Sequence, residues 1–388
     1  MNTKTILANL AYEFQTEKTL YSHEHFIRQT LKLAKKAEGK TLTNPMVGAV
    51  LVCTRNNQRD IIGQGFHKGY GKPHAEIEAI EDANRNGYSD LSRCTLYVNL
   101  EPCCHFGKTP PCTDRILSEK IPHVIFGTLD PFKKVAGKGK KKLLENGVQV
   151  EFGFLEDECR ELNKVFFKHV KTGLPWVTLK MAQSVDGKIA TANGDSKWIS
   201  SEASRKLVHR WRSQFDAVLV GAETVMKDNP SLNVRLIRGR HPKRIILDGR
   251  LRLPDKATVV HDALRSQTII LTSESAPLKK IKLFRERGVK VYTFKADGYR
   301  INIRKALKKI LYEEKIASVL VEGGAVVHGE FLKEKLADEI AVFIAPKLIG
   351  NGRPSVSAEL AESIKRSVTL NGVTYSKSGD DLLLHARL

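Results

Sequence analysis

The chain has 388 residues, with 64 Lys+Arg against 43 Asp+Glu and a formal net charge of +21. Single cores stop growing near ~250 to 300 residues, so this length excludes one ordinary domain, and 41% hydrophobic with 28% charged residues excludes disordered and collagen-like chains. Residues 1–170 carry 25 Lys+Arg against 20 Asp+Glu and residues 171–388 carry 39 against 23, a basic surplus that attracts nucleic acid and phosphorylated metabolites alike and does not choose between them.

No apolar run reaches the ~18 residues that a membrane span needs, and Glu13, Glu17 and Glu24 argue against a transit peptide. A cytoplasmic protein with an extension over residues 1–23 is expected. The spacing then predicts a helix over His25–Ala37 and a hairpin of strands Val47–Thr54 and Ile61–Phe66 about the polar turn Arg55–Asp60. A glycine-rich loop, His67–Pro73, leads into a helix over His74–Asn84. Strand Thr95–Leu100, helix Thr113–Glu119, strand His123–Gly127, helix Gly139–Glu145 and strand Val148–Phe154 follow. Alternating strands and helices predict an α/β domain with a largely parallel sheet.

Lys171 to Pro175 has the composition of a linker, which places one domain at 24–170 and a second at 171–388. The second half also alternates. Strands are predicted at Trp176–Met181, Ala217–Gly221, Arg244–Asp248, Thr268–Thr272, Ser318–Glu322 and Glu339–Ala345. Helices are predicted at Glu202–Gln214, Asn302–Glu314 and Val327–Glu334. No repeat relates the halves.

Four of the six cysteines fall between Cys94 and Cys112, and a cytosolic chain of this size does not need disulfides, so the cluster points to metal or catalysis. His74, Cys103 and Cys112 supply one imidazole and two thiolates, three tetrahedral zinc positions with the fourth left for water. Glu76, two residues after the histidine, is a carboxylate able to move protons between that water and a leaving group. The zinc deaminase signature is H-x-E followed by P-C-x-x-C; here the second part is Pro-Cys with eight residues before the next cysteine. The alternative is a structural zinc site whose fourth ligand would be Cys94, Cys104 or His105.

These residues resemble the bifunctional pyrimidine deaminase/reductase family of riboflavin biosynthesis. The resemblance rests on Glu101-Pro-Cys-Cys-His-Phe-Gly-Lys-Thr-Pro-Pro-Cys112, on Gly65-x-His67 through His74-Ala-Glu76, on Asn44-Pro45-x-Val47-Gly48, and on Asp130-Pro131 before Val135-Ala136-Gly137-x-Gly139. It covers about residues 24–388, and departs from the family at Cys104, where serine is usual. It implies a cytidine-deaminase-like α/β/α domain in which Asn44, His67, His105, Lys108 and Asp130 line the substrate pocket.

Past the linker, Lys180 to Lys188, Gly194 to Ile199 and Gly221 to Arg235 are similar to the family's reductase motifs. They imply a dihydrofolate-reductase-like α/β domain that uses NADPH. The absence of Gly-x-Gly-x-x-Gly after the first strand agrees with a non-Rossmann arrangement. Buried strand Val319 to Glu322, ending in Gly323-Gly324 before a helix, suits a phosphate. By resemblance Ala182, Trp198, Thr224, Asp228 and the stretch Gly324, Ala325, Val326, Val327, His328, Gly329 and Glu330 contact NADPH. Ser196, Arg212, Leu232, Arg235 and Glu322 contact the substrate.

The resemblance implies hydrolytic deamination of a diaminopyrimidinone ribosyl 5′-phosphate, then NADPH-dependent reduction of the ribosyl to the ribityl side chain. Zinc and NADPH are the expected cofactors, with a phosphorylated pyrimidine substrate, a homo-oligomer, and neither nucleic acid nor membrane as partner. The competing reading is an editing deaminase whose basic second domain binds RNA. Aromatic residues are only 7% of the chain, which leaves few platforms for base stacking.

Overall fold

The computed structural model describes residues 21–55, 58–107 and 110–388. The chain divides into two compact units between Lys171 and Thr172. Residues 1–20 of the expected extension lie outside the described residues.

The first unit opens with α1 (His23–Lys35), two residues earlier than its apolar period announces. Ser22 caps it, its hydroxyl accepting the His25 N–H at 3.3 Å, and Phe26, Ile27, Thr30 and Leu33 form its buried face. Strands β1 (Gly48–Arg55) and β2 (Gln58–Phe66) follow, then α2 (Ala75–Arg85), β3 (Cys94–Leu100), α3 (Cys112–Ser118), β4 (His123–Thr128), α4 (Lys138–Glu145), β5 (Gln149–Phe152), α5 (Glu156–Leu162) and α6 (Lys164–Thr172). The sheet order is β2-β1-β3-β4-β5. β1 runs antiparallel to both neighbours and only β3, β4 and β5 are mutually parallel, so the sheet is less parallel than expected.

Glycine in β2 lets α2 lie close. A methyl on Gly63 would stand 2.3 Å from Ala79 O, and one on Gly65 2.5 Å from Ala79 N. That approach seats the N-terminus of α2 beside the end of β2.

Two expectations need correction here. Helix α6 continues through Thr172, so the supposed linker begins only at Gly173, whose φ of +68° ends the helix. Cys94, counted in the cysteine cluster and offered as a fourth metal ligand in a chain expected to lack disulfides, instead opposes Cys53 across β1 and β3 and is joined to it in a disulfide. Their register, invisible in the sequence, brings them together.

The second unit contains β6 (Trp176–Ser184), β7 (Lys188–Thr191), α7 (Glu202–Gln214), β8 (Ala217–Gly221), α8 (Ala222–Asp228), β9 (Lys243–Leu247), α9 (Thr258–His261), β10 (Thr268–Ser273), α10 (Leu278–Glu286) and β11 (Lys290–Phe294). After the short pair β12 (Ala296–Asp297) and β13 (Arg300–Ile301) come α11 (Ile303–Glu314), β14 (Ser318–Gly323), α12 (Ala325–Lys333), β15 (Glu339–Ala345), β16 (Gly352–Pro354), β17 (Asn371–Ser378) and β18 (Asp381–Arg387). The main sheet has the order β11-β10-β9-β8-β14-β6-β15-β18-β17. Pairing is parallel from β11 to β15, and the last two strands form an antiparallel hairpin at the edge.

Strand side chains alternate between two cores. Leu219, Ile245, Ile269 and Val319 pack on one face with Leu307 and Phe331, while Val218, Val220, Ile246 and Ile270 pack on the other with Phe284. Each such fully buried aliphatic side chain contributes roughly 1.5–3 kcal/mol, and burial on both faces is why these strands read as continuous apolar runs.

Candidate active sites

His74 is the N-cap of α2, Cys103 follows the end of β3 through Glu101 and Pro102, and Cys112 is the first residue of α3. The His74 Nδ1 lies 3.2 Å from Cys112 Sγ and 3.5 Å from Cys103 Sγ. Ligands at about 2.0 Å (N) and 2.3 Å (S) from a tetrahedral zinc stand about 3.5 Å apart, so this donor set fits the ion. Among the described residues, these three form the one cluster of metal-type donors that draws this close. Cys94 is committed to its disulfide, and neither Cys104 nor His105 joins the cluster, which leaves the fourth position to a non-protein ligand.

Hydrogen bonds from Cys112 and His74 hold the Cys103 thiol down at about 4, as a thiolate ligand requires. Glu76 is buried, and burial pushes its carboxyl up to about 7, while His74 opposes that shift. A carboxyl poised near neutrality beside the metal site suits a group that takes up and gives back a proton.

A cavity of about 390 Å³ opens at this cluster and is lined by Asn44, His67, His105 and Asp130 together with His74, Glu76 and Cys103. Lys108 lies outside the described residues. Asn44 Nδ2 meets His67 Nε2 at 3.1 Å, and His67 Nδ1 meets the Pro73 carbonyl at 3.0 Å. Burial raises the Asp130 carboxyl to about 7, and its Oδ1 accepts the Phe132 N–H at 2.7 Å. The His105 ring stands edge-on to Phe132, with a buried Nδ1 that has no partner among the described residues.

Two contributions escape the sequence reading. Phe166, His169 and Val170 also line the cavity, from a helix that was not predicted. The spacing of Phe166 and Val170 by four residues was the available signal. Glu101 accepts from the main-chain N–H groups of Asp130 at 3.2 Å, Gly137 at 2.9 Å and Lys140 at 3.0 Å, and so ties the segment from Asp130 to Lys140 to the turn before Cys103.

In the second unit, Arg212 on α7 and Glu322 on β14 form a largely buried two-pronged ion pair, Nε to Oε1 at 2.5 Å and Nη2 to Oε2 at 2.8 Å. Burial works against the Glu322 charge, but Arg212 and Lys180 outweigh it and keep the carboxyl below its usual value. Lys180, which opens the first reductase motif but was given no role there, has its own pKa lowered by burial, with Glu322 opposing. The Arg235 N–H donates to His209 Nδ1 at 3.1 Å. Burial, followed by Arg212 and Arg235, drives His209 down to about 4.

The expected cofactor residues divide. Gly323 and Gly324 have φ of +153° and +78°, a backbone that favours glycine, and the turn lies beside Thr224 of α8, whose Oγ1 would make ordinary contact at 3.5 Å with a methyl on Gly324. Backbone N–H groups at such a turn fit a phosphate of NADPH. Val326 and Trp198 are exposed, and the Arg205 guanidinium sits 4.6 Å from the Trp198 ring centroid. Ala182 and Ser196 are half-buried, and Asp228 is exposed at the end of α8. Within the stretch after Gly324 not every side chain faces outward. Val327 packs against Gly221, His328 Nδ1 meets the Ser355 carbonyl at 3.2 Å, Gly329 abuts Ser357, and Glu330 pairs with Arg300 at 3.4 Å. Leu232 is buried in the core, with φ of +50°, so its side chain is not on a surface that a ligand could reach.

A three-donor metal cluster beside a buried carboxyl in one unit, and an α/β unit with a half-buried Lys–Glu–Arg group in the other, are what a bifunctional deaminase–reductase requires. A profile of the cytidine and deoxycytidylate deaminase zinc-binding region matches residues 20–128, and one of the RibD C-terminal domain matches residues 175–384. The riboflavin biosynthesis protein RibD of Aquifex aeolicus is 42% identical over 362 residues, 93% of this chain and 97% of that one. RibD of Bacillus amyloliquefaciens is 43% identical over 366 residues, 94% and 95%. Among solved structures, RibD of Acinetobacter baumannii has a TM-score of 0.82 at 33% identity, covering 94% of this chain and 98% of that one. The Thermotoga maritima diaminohydroxyphosphoribosylaminopyrimidine deaminase/5-amino-6-(5-phosphoribosylamino)uracil reductase has a TM-score of 0.80 at 39% identity, with the same coverage. The chain belongs to the RibD family of riboflavin biosynthesis enzymes, with a cytidine-deaminase-like zinc unit followed by a dihydrofolate-reductase-like unit that uses NADPH.

Proposed function

We propose that the first unit removes the 2-amino group of 2,5-diamino-6-ribosylamino-4(3H)-pyrimidinone 5′-phosphate and that the second reduces the ribosyl side chain of the product to ribityl. The observation that carries the first step is buried Glu76 beside the donor set of His74, Cys103 and Cys112. His74, Cys103 and Cys112 would hold a zinc ion, which when bound would make a water acidic enough to attack near neutral pH. Glu76 takes one proton from the attacking water and gives it to the departing amine; the carbon–nitrogen bond breaks, ammonia leaves, and the second water proton ends on the adjacent ring nitrogen as the new carbon–oxygen bond becomes a carbonyl. Asn44, His67, His105, Lys108 and Asp130 orient the pyrimidine and its phosphate.

In the second unit NADPH supplies the hydride when bound, to the ribose C1′. Arg212 and Arg235 suit the phosphorylated substrate, because a guanidinium fork grips phosphate oxygens. Lys180, beside Glu322 in a buried setting that lowers its pKa, is the group placed to hold the accompanying proton. Thr224, Gly324 and Ala325 cradle the cofactor phosphates and Trp198 borders them.

In the same reading the enzyme is a cytoplasmic homo-oligomer that acts without nucleic acid. Among the described residues no helix is long and apolar enough to cross a membrane. β17, exposed along seven of its eight residues at the sheet edge, offers an open edge to a second copy. The test is ammonia release from the phosphorylated pyrimidinone, its dephosphorylated form, and cytidine in RNA. Turnover confined to the phosphorylated pyrimidinone is expected; turnover of RNA would overturn the reading.

A further inference from the structure

The segment that carries Asn44 belongs to no helix or strand, yet its main chain is held on both sides of that residue. Toward β1, Asn163 Oδ1 accepts the Met46 N–H at 2.7 Å and Asn163 Nδ2 donates to the Met46 carbonyl at 2.9 Å. Asn99 Nδ2 donates to the same carbonyl at 3.0 Å, and its Oδ1 accepts the Gly48 N–H at 2.8 Å. On the other side, His169 Nε2 lies 2.9 Å from the Thr43 carbonyl. A carbonyl only accepts, so Nε2 carries the proton. Asn163 immediately precedes α6 and His169 lies on it, so one helical segment provides two of the three holds.

The Asn44 carboxamide is fixed in sense as well. Pro73 has no acidic proton to offer, so its carbonyl receives the Nδ1–H of His67. Nε2 of the neutral ring is then an acceptor, and the group it meets at 3.1 Å is the Asn44 amide nitrogen. The other end of the carboxamide, Oδ1, is left to accept from a molecule in the cavity that Asn44, His67 and His169 all line.

We propose that His169 is a positioning residue for the deaminase substrate: by holding the Thr43 carbonyl it fixes the loop from which Asn44 offers Oδ1 to an N–H donor of the pyrimidine. The proposal rests on the reading of Asn44 as a substrate contact.

The test is steady-state deamination by the zinc-loaded full chain carrying His169→Ala, His169→Phe, His169→Gln, Asn44→Ala, or Asn44→Ala with His169→Ala. Losing one hydrogen bond of this kind costs about a factor of ten in affinity, so His169→Ala and His169→Phe raise KM about tenfold and change kcat by less than about threefold. His169→Phe keeps the ring's bulk, so a rise in KM there without loss of zinc separates a lost donor from a lost wall. Gln restores a donor and brings KM back toward the parent value. In the Asn44→Ala background, His169→Ala adds nothing further. Reduction of pre-deaminated substrate by the same preparations stays at the parent rate. An unchanged KM in His169→Phe, or effects that multiply in the double variant, would overturn the proposal. If Asn44→Ala itself leaves KM unchanged, it is the substrate-contact reading that fails; if Asn44→Ala raises KM and His169 variants do not, only the positioning role fails.

Discussion

Arg212 on α7 donates two parallel hydrogen bonds, at 2.5 and 2.8 Å, to the carboxylate of Glu322 on β14, with Lys180 close enough to bias that carboxylate. Breaking one side of a buried pair leaves an uncompensated charge and costs about 3–5 kcal/mol. Lysine keeps the charge at position 212 but not the planar fork. Arg212→Lys and Glu322→Gln are therefore expected to lower kcat/KM for NADPH-dependent reduction by roughly a hundredfold or more while ammonia release from the diaminopyrimidine stays at the parent rate. Paired assays on one preparation check this; equal losses in both reactions would contradict it.

Gly139 predicts a defect that reaches the metal. A methyl at this position would stand 2.1 Å from the Pro102 carbonyl and 3.2 Å from Glu101 Oε1, so Gly139→Ala must push α4 away from the turn that leads to Cys103. Overpacking of this kind costs about 1–3 kcal/mol. Zinc affinity, followed by chelator competition, should fall by about tenfold, and an unchanged affinity would show that the turn adjusts freely.

Glu314 gives a prediction for stability against pH. Its carboxylate bonds Lys243 Nζ at 2.7 Å, Lys290 Nζ at 2.7 Å and the Tyr292 hydroxyl at 2.6 Å. Burial works against the charge, yet these partners outweigh it and hold the pKa at about 2. Since the folded value lies below the ordinary carboxylate value of about 4.3, the stabilisation is fully present above that pH and is lost as pH falls toward 2. Glu314→Gln should lower the stability of the second unit at pH 7 by about 3 kcal/mol, read as a lower unfolding midpoint. The difference from the parent should shrink steadily below about pH 4.3. A difference independent of pH would mean that the carboxylate's charge is not what stabilises the parent.

The zinc cluster and the main strands were legible because their signals are local. His74-Ala-Glu76 and the Pro102-Cys103 to Cys112 spacing carry their chemistry in the sequence, and strands buried on both faces read as unbroken apolar runs. What stayed hidden depends on register or on exposure. The Cys53–Cys94 pairing needs the alignment of β1 with β3. The edge strand β17 is exposed on both faces, so it shows no alternation, and α6 sits where polar residues dilute the helical period. His169 and Lys180 were missed for a related reason: a lone histidine or lysine acquires meaning only from what tertiary structure sets beside it, Thr43 in one case and Glu322 in the other.

In the proposed function two independent sites on one chain carry out deamination and then reduction, with Glu76 acting only in the first. Glu76→Gln keeps the shape of a residue buried beside the metal ligands while removing its proton-transfer capacity. The most direct measurement follows ammonia release and NADPH oxidation on one preparation of this variant, the latter with pre-deaminated substrate. Ammonia release is expected to fall by roughly a hundredfold or more, with zinc content and NADPH oxidation unchanged. Loss of both reactions together, or retention of ammonia release, would contradict the proposed function.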